Sequence, residues 1–425
     1  MNVFFHTLGC KVNHYETQEM TEELEKNGYI IVNEVNKADI IVINSCTVTS
    51  ESDRKSRQAL RHYRSQNPNA ITVITGCMTQ AYSKKAQQLF EADIILGNKT
   101  NKLLDKSIKE FILTRKPIIN VDPHKDNEPL ISNGISRFEE RTRAYLKIED
   151  GCNRFCSYCA IPYARGRVRS KPLEEIVKEA TSLAQNGFVE IVLVGINLSA
   201  YGSDLENADF PSAVEAVAKI DKVKRVRLGS LEPDHLTDDV IERLSKIKKL
   251  CPHFHISLQS GCDNTLKRMN RHYTADQFSS LCDKLRRTFK NCALTTDIMV
   301  GFSGETEEDF NDTVEFVKKI KFEKVHIFPY SVREGTRAAS FDGKITNKEK
   351  AERAKALSEV CGNIRAQFLK NQIGKEYDVL IESKLPDGSL FGYTENYIPV
   401  KINENSVSEN GKYIIKDSDD EYCYA

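Results

Sequence analysis

The sequence lacks any apolar run that approaches the roughly 18 residues needed to cross a bilayer. Its longest runs, such as residues 40–43 and 191–194, are the length of strands. The first residues, MNVFFHT, also lack the basic stretch and the long apolar core of a signal peptide. We therefore expect a cytoplasmic protein that makes no contact with membranes.

An excess of charge of either sign is also absent, because 61 lysines and arginines balance 61 aspartates and glutamates. Overall charge therefore cannot recruit nucleic acid or a membrane surface, and any nucleic-acid contact must come from local patches. The length of 425 residues, 40% hydrophobic and 29% charged, excludes a small disulfide scaffold and wholesale disorder. A chain of this length predicts about two to four domains.

The first block of the chain, residues 1–125, alternates β-branched runs with polar helical stretches. This alternation predicts a parallel sheet with crossover helices. The predicted strands are residues 3–7, 40–44, 71–75 and 94–96, and the predicted helices are residues 17–27, 52–66 and 80–90. Proline, asparagine, serine and glycine are spread through residues 126–141, which predicts a linker.

The central block, residues 142–346, contains six longer strand–helix units. They fit a full or partial parallel (β/α)6 barrel, whose chemistry would lie at the carboxyl ends of the strands. Strands are predicted at residues 145–149, 190–195, 225–229, 255–258, 295–300 and 325–330, and helices at residues 173–185 and 305–319. The fold class is therefore α/β.

A helix predicted over residues 347–370 leads to a last block, residues 371–425. Its alternating runs, broken by PDG and NG turns, predict a small antiparallel β-barrel. Modules of this kind are often readers of nucleic acids. This one carries five lysines and eleven acidic residues, so attraction of phosphates is not its evident property.

Three of the twelve cysteines, Cys152, Cys156 and Cys159, form a C-x3-C-x2-C group in GCNRFCSYC, just after a predicted strand. Three thiolates this close repel one another unless a metal or a cluster neutralises them. Closed zinc sites normally take four protein ligands, and no fourth cysteine or histidine falls nearby. An iron–sulfur cubane with one open iron fits the spacing, and a zinc knuckle is the alternative.

Three further cysteines, Cys10, Cys46 and Cys77, each follow a predicted strand. Because the carboxyl ends of parallel strands share one edge of a sheet, these distant thiols are expected to converge on one site. They again suggest a cubane with an open iron, although an isolated cysteine at a strand end is often buried filler. The other six cysteines show no ligand spacing; of these, Cys262 lies in a loop near the predicted barrel mouth.

The group C-x3-C-x-aromatic-C, with Tyr158 as the aromatic residue, resembles the signature of radical S-adenosylmethionine (SAM) enzymes. Two cysteine triads in one chain resemble the methylthiotransferases among them. The resemblance extends over nearly the whole chain, through TLGCKVNHYET, INSCTVTSESDRKSR, GCMTQA, GCNRFCSYCAIPYARGRVRS, VGINLSAYG, RLGSLEPDH, HISLQSGCDNTLKRMNRHYT, TTDIMVGFSGETEEDF and FPYSVREGTRA. The last block resembles the TRAM module of that family.

The resemblance implies two 4Fe-4S clusters. The cluster on the triad Cys152, Cys156 and Cys159 would bind SAM and reduce it to a 5′-deoxyadenosyl radical, with electrons from a donor such as flavodoxin or ferredoxin. The cluster on the triad Cys10, Cys46 and Cys77 would carry the sulfur atom that another SAM molecule methylates. The methylthio group would then be delivered to a carbon whose hydrogen only a radical could remove.

Within that family, TLGCKVN and CTVTSESDRKSR most resemble the branch that acts on N6-threonylcarbamoyladenosine at position 37 of tRNA, beside the anticodon. The expected partner is therefore the anticodon stem-loop of tRNA. Methylthiolation of isopentenyladenosine in tRNA or of a ribosomal protein side chain is the alternative. A third hypothesis is an iron–sulfur scaffold or RNA-binding module without enzymatic activity.

SAM needs polar contacts beyond iron, and strand ends supply candidates for them. Each candidate is also a reasonable turn or cap at a strand end. The expected cofactor-binding residues, besides Tyr158, are Gly195 and Asn197 in VGIN, Ser230 and Glu232 in GSLEP, Gln259 in SLQSG, and Gly301 in GFSG. Gly301 would let the backbone pass close to the adenine of SAM.

Two basic segments that follow cysteines predict the RNA-contacting surface, with Tyr63 and Tyr163 among them for base stacking. Residues 1–370 carry an excess of six positive charges, which is consistent with RNA binding. A solvated helix face, or compensation of cluster charge, is the alternative. The predicted RNA-binding residues are Arg54, Lys55, Arg57, Arg61 and Arg64 after Cys46, and Arg165, Arg167 and Arg169 after Cys159.

Overall fold

A computed structural model describes residues 1–138, 142–403 and 411–425 of the chain. The last three residues of the predicted linker, 139–141, lie outside the described residues. So does Asn410 of the predicted NG turn. Within the described residues, no helix combines the length and the apolar character that crossing a bilayer requires. The predicted α/β class is confirmed, with a parallel sheet, a partial barrel and a curled sheet following one another. The domain boundaries stay predictions.

The amino-terminal block is a six-stranded parallel sheet in the order β2-β1-β3-β4-β5-β6. Its strands are β1 (Asn2–Thr7), β2 (Ile30–Ile31), β3 (Ile40–Ser45), β4 (Ile71–Gly76), β5 (Ile94–Leu96) and β6 (Ile118–Asn120). Its helices are α1 (Lys11–Lys26), α2 (Ser50–Gln66), α3 (Cys77–Ala81), α4 (Ser83–Ala86) and α5 (Leu104–Thr114). Every residue of β3 and β4 is buried, which explains their continuous apolar pattern.

Two features of this block differ from the prediction. The predicted helix over residues 80–90 is wrong: α3 and α4 are separate short helices, because the backbone at Tyr82 (φ −123°, ψ 50°) leaves the helical region. The side chain of Phe90 is 89% exposed and therefore anchors no helical face. Strands β2 and β6, of two and three residues, were not predicted; both include partly exposed or exposed residues, unlike the fully buried β5.

The central block is built from parallel strands that form two adjoining sheets, in the orders β7-β10-β11 and β12-β13-β14-β15. Only Gly229 separates β11 from β12, so the strands provide six staves of a partial barrel. The strands are β7 (Arg143–Lys147), β10 (Glu190–Val194), β11 (Arg225–Leu228), β12 (Ser230–Leu231), β13 (His253–Ile256), β14 (Ala293–Val300) and β15 (Lys324–Pro329). An antiparallel pair, β8 (Glu149–Asp150) and β9 (Arg169–Ser170), brackets residues 151–168.

Helices follow the barrel strands as predicted, and α7 has the predicted bounds. They are α6 (Ile161–Arg165), α7 (Leu173–Gln185), α8 (Phe210–Ala218), α9 (Asp238–Ser245), α10 (Asp263–Arg268), α11 (Ala275–Thr288) and α12 (Glu307–Ile320). Short 3₁₀ turns occur at Val35–Lys37, Asn101–Leu103, Leu198–Ala200, Pro233–His235 and Arg337–Ser340. The barrel contains the largest hydrophobic core among the described residues.

Helix α1 joins the first two blocks, because its two faces are buried in different cores. Val12 and Tyr15 pack into the core of the barrel. Met20 and Leu24 pack into the core beneath the amino-terminal sheet. The residues that follow β1 are therefore held between the sheet and the barrel.

Helix α13 (Asn347–Lys370) leads to a curled six-stranded sheet in the order β19-β16-β17-β18-β21-β20. Its strands are β16 (Glu376–Lys384), β17 (Leu390–Thr394), β18 (Pro399–Ile402), β19 (Lys412–Ile414), β20 (Asp417–Ser418) and β21 (Cys423–Tyr424). Most pairs are antiparallel, as predicted, but β18 and β21 pair in parallel. The sheet is therefore mixed.

This last sheet packs against the amino-terminal ends of barrel strands. Arg225 Nη2 donates to the backbone oxygen of Asp378 at 2.7 Å, and Arg227 Nη1 donates to that of Glu395 at 3.0 Å. The guanidinium of Arg143, at the start of β7, lies 5.1 Å and 5.0 Å from the ring centroids of Tyr393 and Tyr397. Those two rings are stacked 4.5 Å apart.

We expect that Gly76→Ala destabilises the chain much more than Gly28→Ala. Both glycines have positive φ (+104° and +85°), which costs a residue with a Cβ about 1 kcal/mol. A Cβ at Gly76 would also lie 2.5 Å from the backbone oxygen of Ser45, whereas a Cβ at Gly28 meets nothing within 4 Å. We expect Gly76→Ala to lower the free energy of unfolding by roughly 3 kcal/mol. Urea midpoints followed by circular dichroism measure both, and equal midpoints would contradict the steric argument.

Candidate active site

The amino-terminal triad comprises Cys10, Cys46 and Cys77, which lie at one edge of the parallel sheet. Thr7 of β1 is in register with Asn44 of β3, and Ser45 is in register with Gly76 of β4. Cys10 immediately precedes α1, Cys46 follows β3, and Cys77 is the first residue of α3. Parallel topology therefore places the three cysteines side by side although more than 60 positions separate the first from the last.

The side chain of Asn13 lies among these three thiols. Its Oδ1 is 3.9 Å from the sulfur of Cys10 and 3.8 Å from that of Cys77. Its Nδ2 donates to the backbone oxygens of Leu8 and Ser45, which precede Cys10 and Cys46. A Cβ built on Gly9 would lie 3.1 Å from the sulfur of Cys46. The structure thus gathers the triad in one place.

The radical-site triad comprises Cys152, Cys156 and Cys159, in the loop bracketed by β8 and β9. The amide of Cys152 donates to Gly166 O, and that of Cys159 donates to Cys156 O, both at 3.0 Å. Phe155 takes a left-handed backbone (φ 49°). Asn270 Nδ2 donates to the backbone oxygen of Phe155 at 3.2 Å, which holds this strained turn.

The chemistry of the thiols fits a bound cluster. Burial raises the pKa of Cys77 and of Cys152 to about 12, and burial and the neighbouring Cys156 thiol raise the pKa of Cys159. A cluster must therefore displace protons from these thiols when it binds. Among the described residues, no three His, Cys, Asp or Glu side chains meet closely enough to hold a single ion. Cysteine thiolates are the ligands that an iron–sulfur cubane takes, so the three thiols of each triad fit such a cluster as a donor set.

Each triad receives a hydrogen bond from a buried arginine. Arg165 Nε donates to the sulfur of Cys77 at 3.2 Å. Arg271 Nη1 donates to the sulfur of Cys156 at 3.3 Å. Such N–H···S bonds stabilise negative charge on sulfur, as a cluster ligand requires.

The burial of two predicted RNA-binding residues, Arg165 and Arg169, does not support a contact with RNA. The side chain of Arg165 has 0% exposure, and that of Arg169 has 8%. Arg165 is bound by Glu16 and Asp150, and Arg169 forms an ion pair with Glu128, so their guanidinium groups are committed inside the protein. Arg167, between them, has 53% exposure and lies 4.6 Å from the ring centroid of Phe155. The run of basic residues therefore alternates between buried and exposed positions.

On helix α2, the predicted RNA residues differ in how they are engaged. Arg54, Lys55 and Arg61 are exposed, although Arg54 pairs with Glu51 at 2.5 Å and Arg61 with Glu91 at 2.7 Å. Arg57 is half-buried. Arg64 bonds the backbone oxygen of Ala70 at 3.0 Å and the carboxylate of Asp93 at 2.7 Å, so it has a structural role.

The two tyrosines that were predicted to stack on bases differ in how exposed they are. Tyr63 packs edge-on against Phe4 at 5.2 Å and bonds His6 through its hydroxyl at 3.1 Å, so its half-buried ring is already engaged within the protein. Tyr163 is 55% exposed and contacts Phe155 edge-on at 6.0 Å. Tyr163 thus keeps a surface that a base could contact.

Gly195 and Asn197 lie beside the radical-site triad, together with Glu149, which the sequence did not single out. Asn197 Nδ2 is 3.9 Å from the sulfur of Cys152, and its amide donates to Glu149 Oε2 at 2.8 Å. A Cβ on Gly195 would lie 2.6 Å from that same oxygen. Glu149 is fully buried, which raises its pKa well above the usual range, and its Oε1 has no partner among the described residues. An orphaned polar atom beside the triad fits a polar group of a bound cofactor.

Ser230 begins β12, and Glu232 directly follows that strand. Ser230 is exposed. Glu232 forms an ion pair with Arg271, the arginine that bonds Cys156, and its amide donates to Ser199 Oγ at 3.0 Å. The Glu232 carboxylate therefore stands near the radical-site triad.

Two further cofactor candidates are Tyr158, which lies between Cys156 and Cys159, and Gln259, which follows β13. Tyr158 packs edge-on against Phe302 at 6.3 Å. Gln259 has a left-handed backbone (φ 72°), and its amide donates to Asp297 O at 2.8 Å. Strain of this kind in a non-glycine residue marks a position under functional or structural constraint.

Gly301 and Cys262 are accounted for by contacts within the protein. A Cβ on Gly301 would lie 2.4 Å from Cγ of Lys350, so the glycine makes room for that side chain. This packing does not support the predicted contact of Gly301 with adenine. Cys262 donates to Asp309 at 3.1 Å and is buried.

Arg333 also joins the blocks, and it was missed from the sequence although it lies in the quoted segment FPYSVREGTRA. Only 3% of the residue is exposed. Its Nη2 donates to Thr47 Oγ1 and to Asp53 Oδ2, both at 2.6 Å. It therefore fixes the loop after β15 against the segment that follows Cys46.

Known proteins resemble the chain in both sequence and fold. Residues 146–317 match the Radical SAM superfamily, and residues 2–97 match uncharacterized protein family UPF0004. The fold is similar to that of the radical SAM methyltransferase TsrM from Kitasatospora setae, with a TM-score of 0.59 at 14% identity over 80% of this chain and 77% of that one. That likeness establishes the radical SAM fold alone.

Three curated relatives match nearly the full length. A threonylcarbamoyladenosine tRNA methylthiotransferase MtaB from Bacillus subtilis is 38% identical, covering 94% of this chain and 89% of its own. Its namesake from Thermotoga maritima is 39% identical, covering 96% and 92%. A tRNA-2-methylthio-N(6)-dimethylallyladenosine synthase from Clostridium botulinum is 37% identical, covering 92% and 88%. With both cysteine triads gathered as described, this chain belongs to the methylthiotransferase family of radical SAM enzymes.

Proposed function

We propose that the protein is a tRNA methylthiotransferase that adds a methylthio group to C2 of N6-threonylcarbamoyladenosine at position 37. The observation that carries this proposal is the pair of gathered thiol triads, one after the sheet strands and one in the radical SAM loop. We further propose that each triad holds a 4Fe-4S cluster. The membership of the family implies SAM and the radical-site cluster, and the second cluster is inferred from the amino-terminal triad.

In the proposed roles, the cluster on Cys152, Cys156 and Cys159 supplies SAM binding and radical generation, and that on Cys10, Cys46 and Cys77 supplies the sulfur to be transferred. The protein's own groups orient the reactants. Glu149, with one orphaned oxygen, is placed to accept hydrogen bonds from the amino group of SAM. Glu232 is placed for a further donor of the same ligand.

Arg271 would keep negative charge on Cys156 and hold Glu232 in place. Its Nη1 reaches both the Cys156 sulfur and Glu232 Oε1 at 3.3 Å, and its Nη2 donates to the backbone oxygen of Ser257 at 2.9 Å. Such a network fixes the rotamer of the carboxylate before a ligand arrives, which lowers the entropic cost of binding.

The choice of substrate rests on the segments TLGCKVN and CTVTSESDRKSR. Identities of 38% and 39% to the threonylcarbamoyladenosine enzymes and 37% to the dimethylallyladenosine enzyme do not separate the two by themselves. The dimethylallyladenosine activity is therefore the second candidate. In either case we propose that the anticodon stem-loop of tRNA is the substrate. We further propose that the reaction takes place in the cytoplasm and that a flavodoxin or a ferredoxin donates the electrons.

The surfaces proposed for RNA are the exposed residues of α2 and the group formed by Arg167, Phe155 and Tyr163. Arg54, Lys55 and Arg61 lie on the helix that follows Cys46. Arg167 and Tyr163 follow Cys159, so the two surfaces flank the two triads. Cationic side chains would contact phosphates, and the aromatic rings would contact bases.

Nucleoside mass spectrometry of tRNA tests the proposed substrate. In cells that lack the gene, we expect the 2-methylthio form of N6-threonylcarbamoyladenosine to disappear while the unmodified parent nucleoside accumulates. Loss of a 2-methylthio dimethylallyl nucleoside instead would establish the second candidate. A complete set of methylthio nucleosides in such cells would contradict both.

Replacing single cysteines tests the roles of the triads. Anaerobically reconstituted protein should hold about eight irons, and Cys46→Ala and Cys156→Ala should each hold about four. Cys156→Ala should abolish cleavage of SAM, whereas Cys46→Ala should still form 5′-deoxyadenosine without any methylthiolated product. Cys361→Ala, which changes a half-buried thiol outside both triads, is the matched control. Product from Cys46→Ala would contradict the sulfur-delivery role.

Removal of charge from α2 tests the RNA surface. The triple variant Arg54→Gln, Lys55→Gln and Arg61→Gln should weaken tRNA binding and lower the slope of log Kd against log salt by about two to three. A control variant removes three exposed lysines of α13, Lys348, Lys355 and Lys370, and should keep the slope. Equal slopes for the two variants would move the RNA site away from α2.

A further inference from the structure

Arg165 bonds a cysteine of the amino-terminal triad and the segment that leads into the radical-site triad, although it lies within neither triad. It ends α6, six residues after Cys159, and is fully buried. Its Nε donates to the sulfur of Cys77 at 3.2 Å. Its Nη1 donates to Glu16 at 2.6 Å and to Asp150 at 3.1 Å, and its Nη2 donates to Asn13 at 2.9 Å. Every nitrogen of the guanidinium therefore has an acceptor.

Each acceptor leads to a different part of the site. Asn13 holds the segments that carry Cys10 and Cys46, as its bonds to Leu8 and Ser45 show. Glu16 lies on α1, one turn after Asn13. Asp150 lies two residues before Cys152, at the end of β8. A single planar group thus touches the support of the amino-terminal triad and the root of the radical-site loop.

The ion pairs that connect to Arg165 contain unequal numbers of cations and carboxylates. Glu16 and Asp150 also pair with Lys147, each at 2.7 Å, and Asp150 lies 3.5 Å from Arg169. Arg169 pairs in turn with Glu128, and Glu128 also pairs with Lys99 at 2.6 Å. His124 also contacts Glu128, and burial lowers the pKa of that imidazole, so it stays neutral at pH 7. This connected group contains four cations and three carboxylates, which leaves one positive charge over.

The group that faces the unbalanced charge is the sulfur of Cys77. Buried charge is costly unless it is paired, and a cluster-bound thiolate is permanently anionic. An iron-ligating Cys77 would therefore complete the charge balance of this interior, whereas a neutral thiol would not. The alternation of buried and exposed arginines in RGRVR is explained in the same way, since the buried ones serve this group.

We propose that Arg165 is a positioning residue that fixes the Cys77 thiolate, raises the reduction potential of the amino-terminal cluster and holds the two cluster sites in one arrangement. This inference rests on the proposed function, because it requires a cluster on the amino-terminal triad. An N–H···S bond and a nearby positive charge both stabilise the reduced, more negative form of a cluster. Loss of either should lower its potential.

Arg333 provides the matched control for a purely structural role. It is also buried, and it also ties a barrel loop to the amino-terminal block, through Thr47 and Asp53 at 2.6 Å each. It has no hydrogen bond to a sulfur atom among the described residues. Substitutions of Arg165 and Arg333 by lysine therefore disturb similar bridges but differ at the thiol.

The test compares Arg165→Lys and Arg333→Lys in a background in which Cys152, Cys156 and Cys159 are alanine, so that only the amino-terminal cluster is present. Redox titrations followed by electron paramagnetic resonance should show a lower potential for Arg165→Lys and the parental potential for Arg333→Lys. Glu16→Gln removes a negative charge beside the cluster and should shift the potential upward. Parental potentials in both Arg165→Lys and Glu16→Gln would overturn the proposal.

With all cysteines restored, the ratio of methylthiolated product to 5′-deoxyadenosine reports the coupling of the two sites. We expect Arg165→Lys to lower this ratio at least about tenfold, because a supporting contact to a metal ligand typically changes activity by that amount. An unchanged ratio would overturn the coupling role. If Arg165→Lys holds no iron, Glu16→Gln remains as a test, because it keeps the N–H···S donor. Its amino-terminal cluster should still show the raised reduction potential. If the parent chain binds only four irons, the second cluster and hence the proposed function fail, whatever Arg165 does.

Discussion

The buried guanidinium of Arg165 is the contact on which the arrangement of the site depends. It ties α1, the start of α3 and the end of β8 into one group of direct hydrogen bonds. Breaking one partner of such a group leaves a buried charge unpaired, which typically costs about 3–5 kcal/mol. The amino-terminal block and the barrel are therefore joined by buried ion pairs beside the thiol of Cys77.

Two kinds of geometry bring the thiols together. The radical-site triad is local, because the single segment 151–168, bracketed by β8 and β9, carries all three cysteines. The amino-terminal triad is assembled by topology, since three neighbouring parallel strands end at the same edge and each delivers one cysteine. The radical-site triad can therefore keep its geometry when other parts of the fold change. The amino-terminal triad keeps its geometry only while β1, β3 and β4 stay in register.

Much of this could be predicted from the sequence, because strands and metal-type cysteines leave strong local patterns. The buried runs of β3 and β4 and the cysteines that follow them were found on this basis. The pattern could not show which arginine of RGRVR turns inward, because burial of Arg165 depends on Glu16 and Asp150, which are distant in sequence. Glu149 and Arg333 were missed for the same reason: each gains its meaning from partners in another segment.

The position of the carboxyl-terminal sheet limits how a substrate can be recognised. That sheet is bonded to the starts of β7 and β11, at the opposite end of the barrel staves from the sulfur ligands. The five residues of β7 span about 16 Å, so a molecule that touched both this sheet and the radical-site triad would extend over about that distance. A lone nucleoside is too small to do so, and a folded hairpin of nucleic acid is long enough.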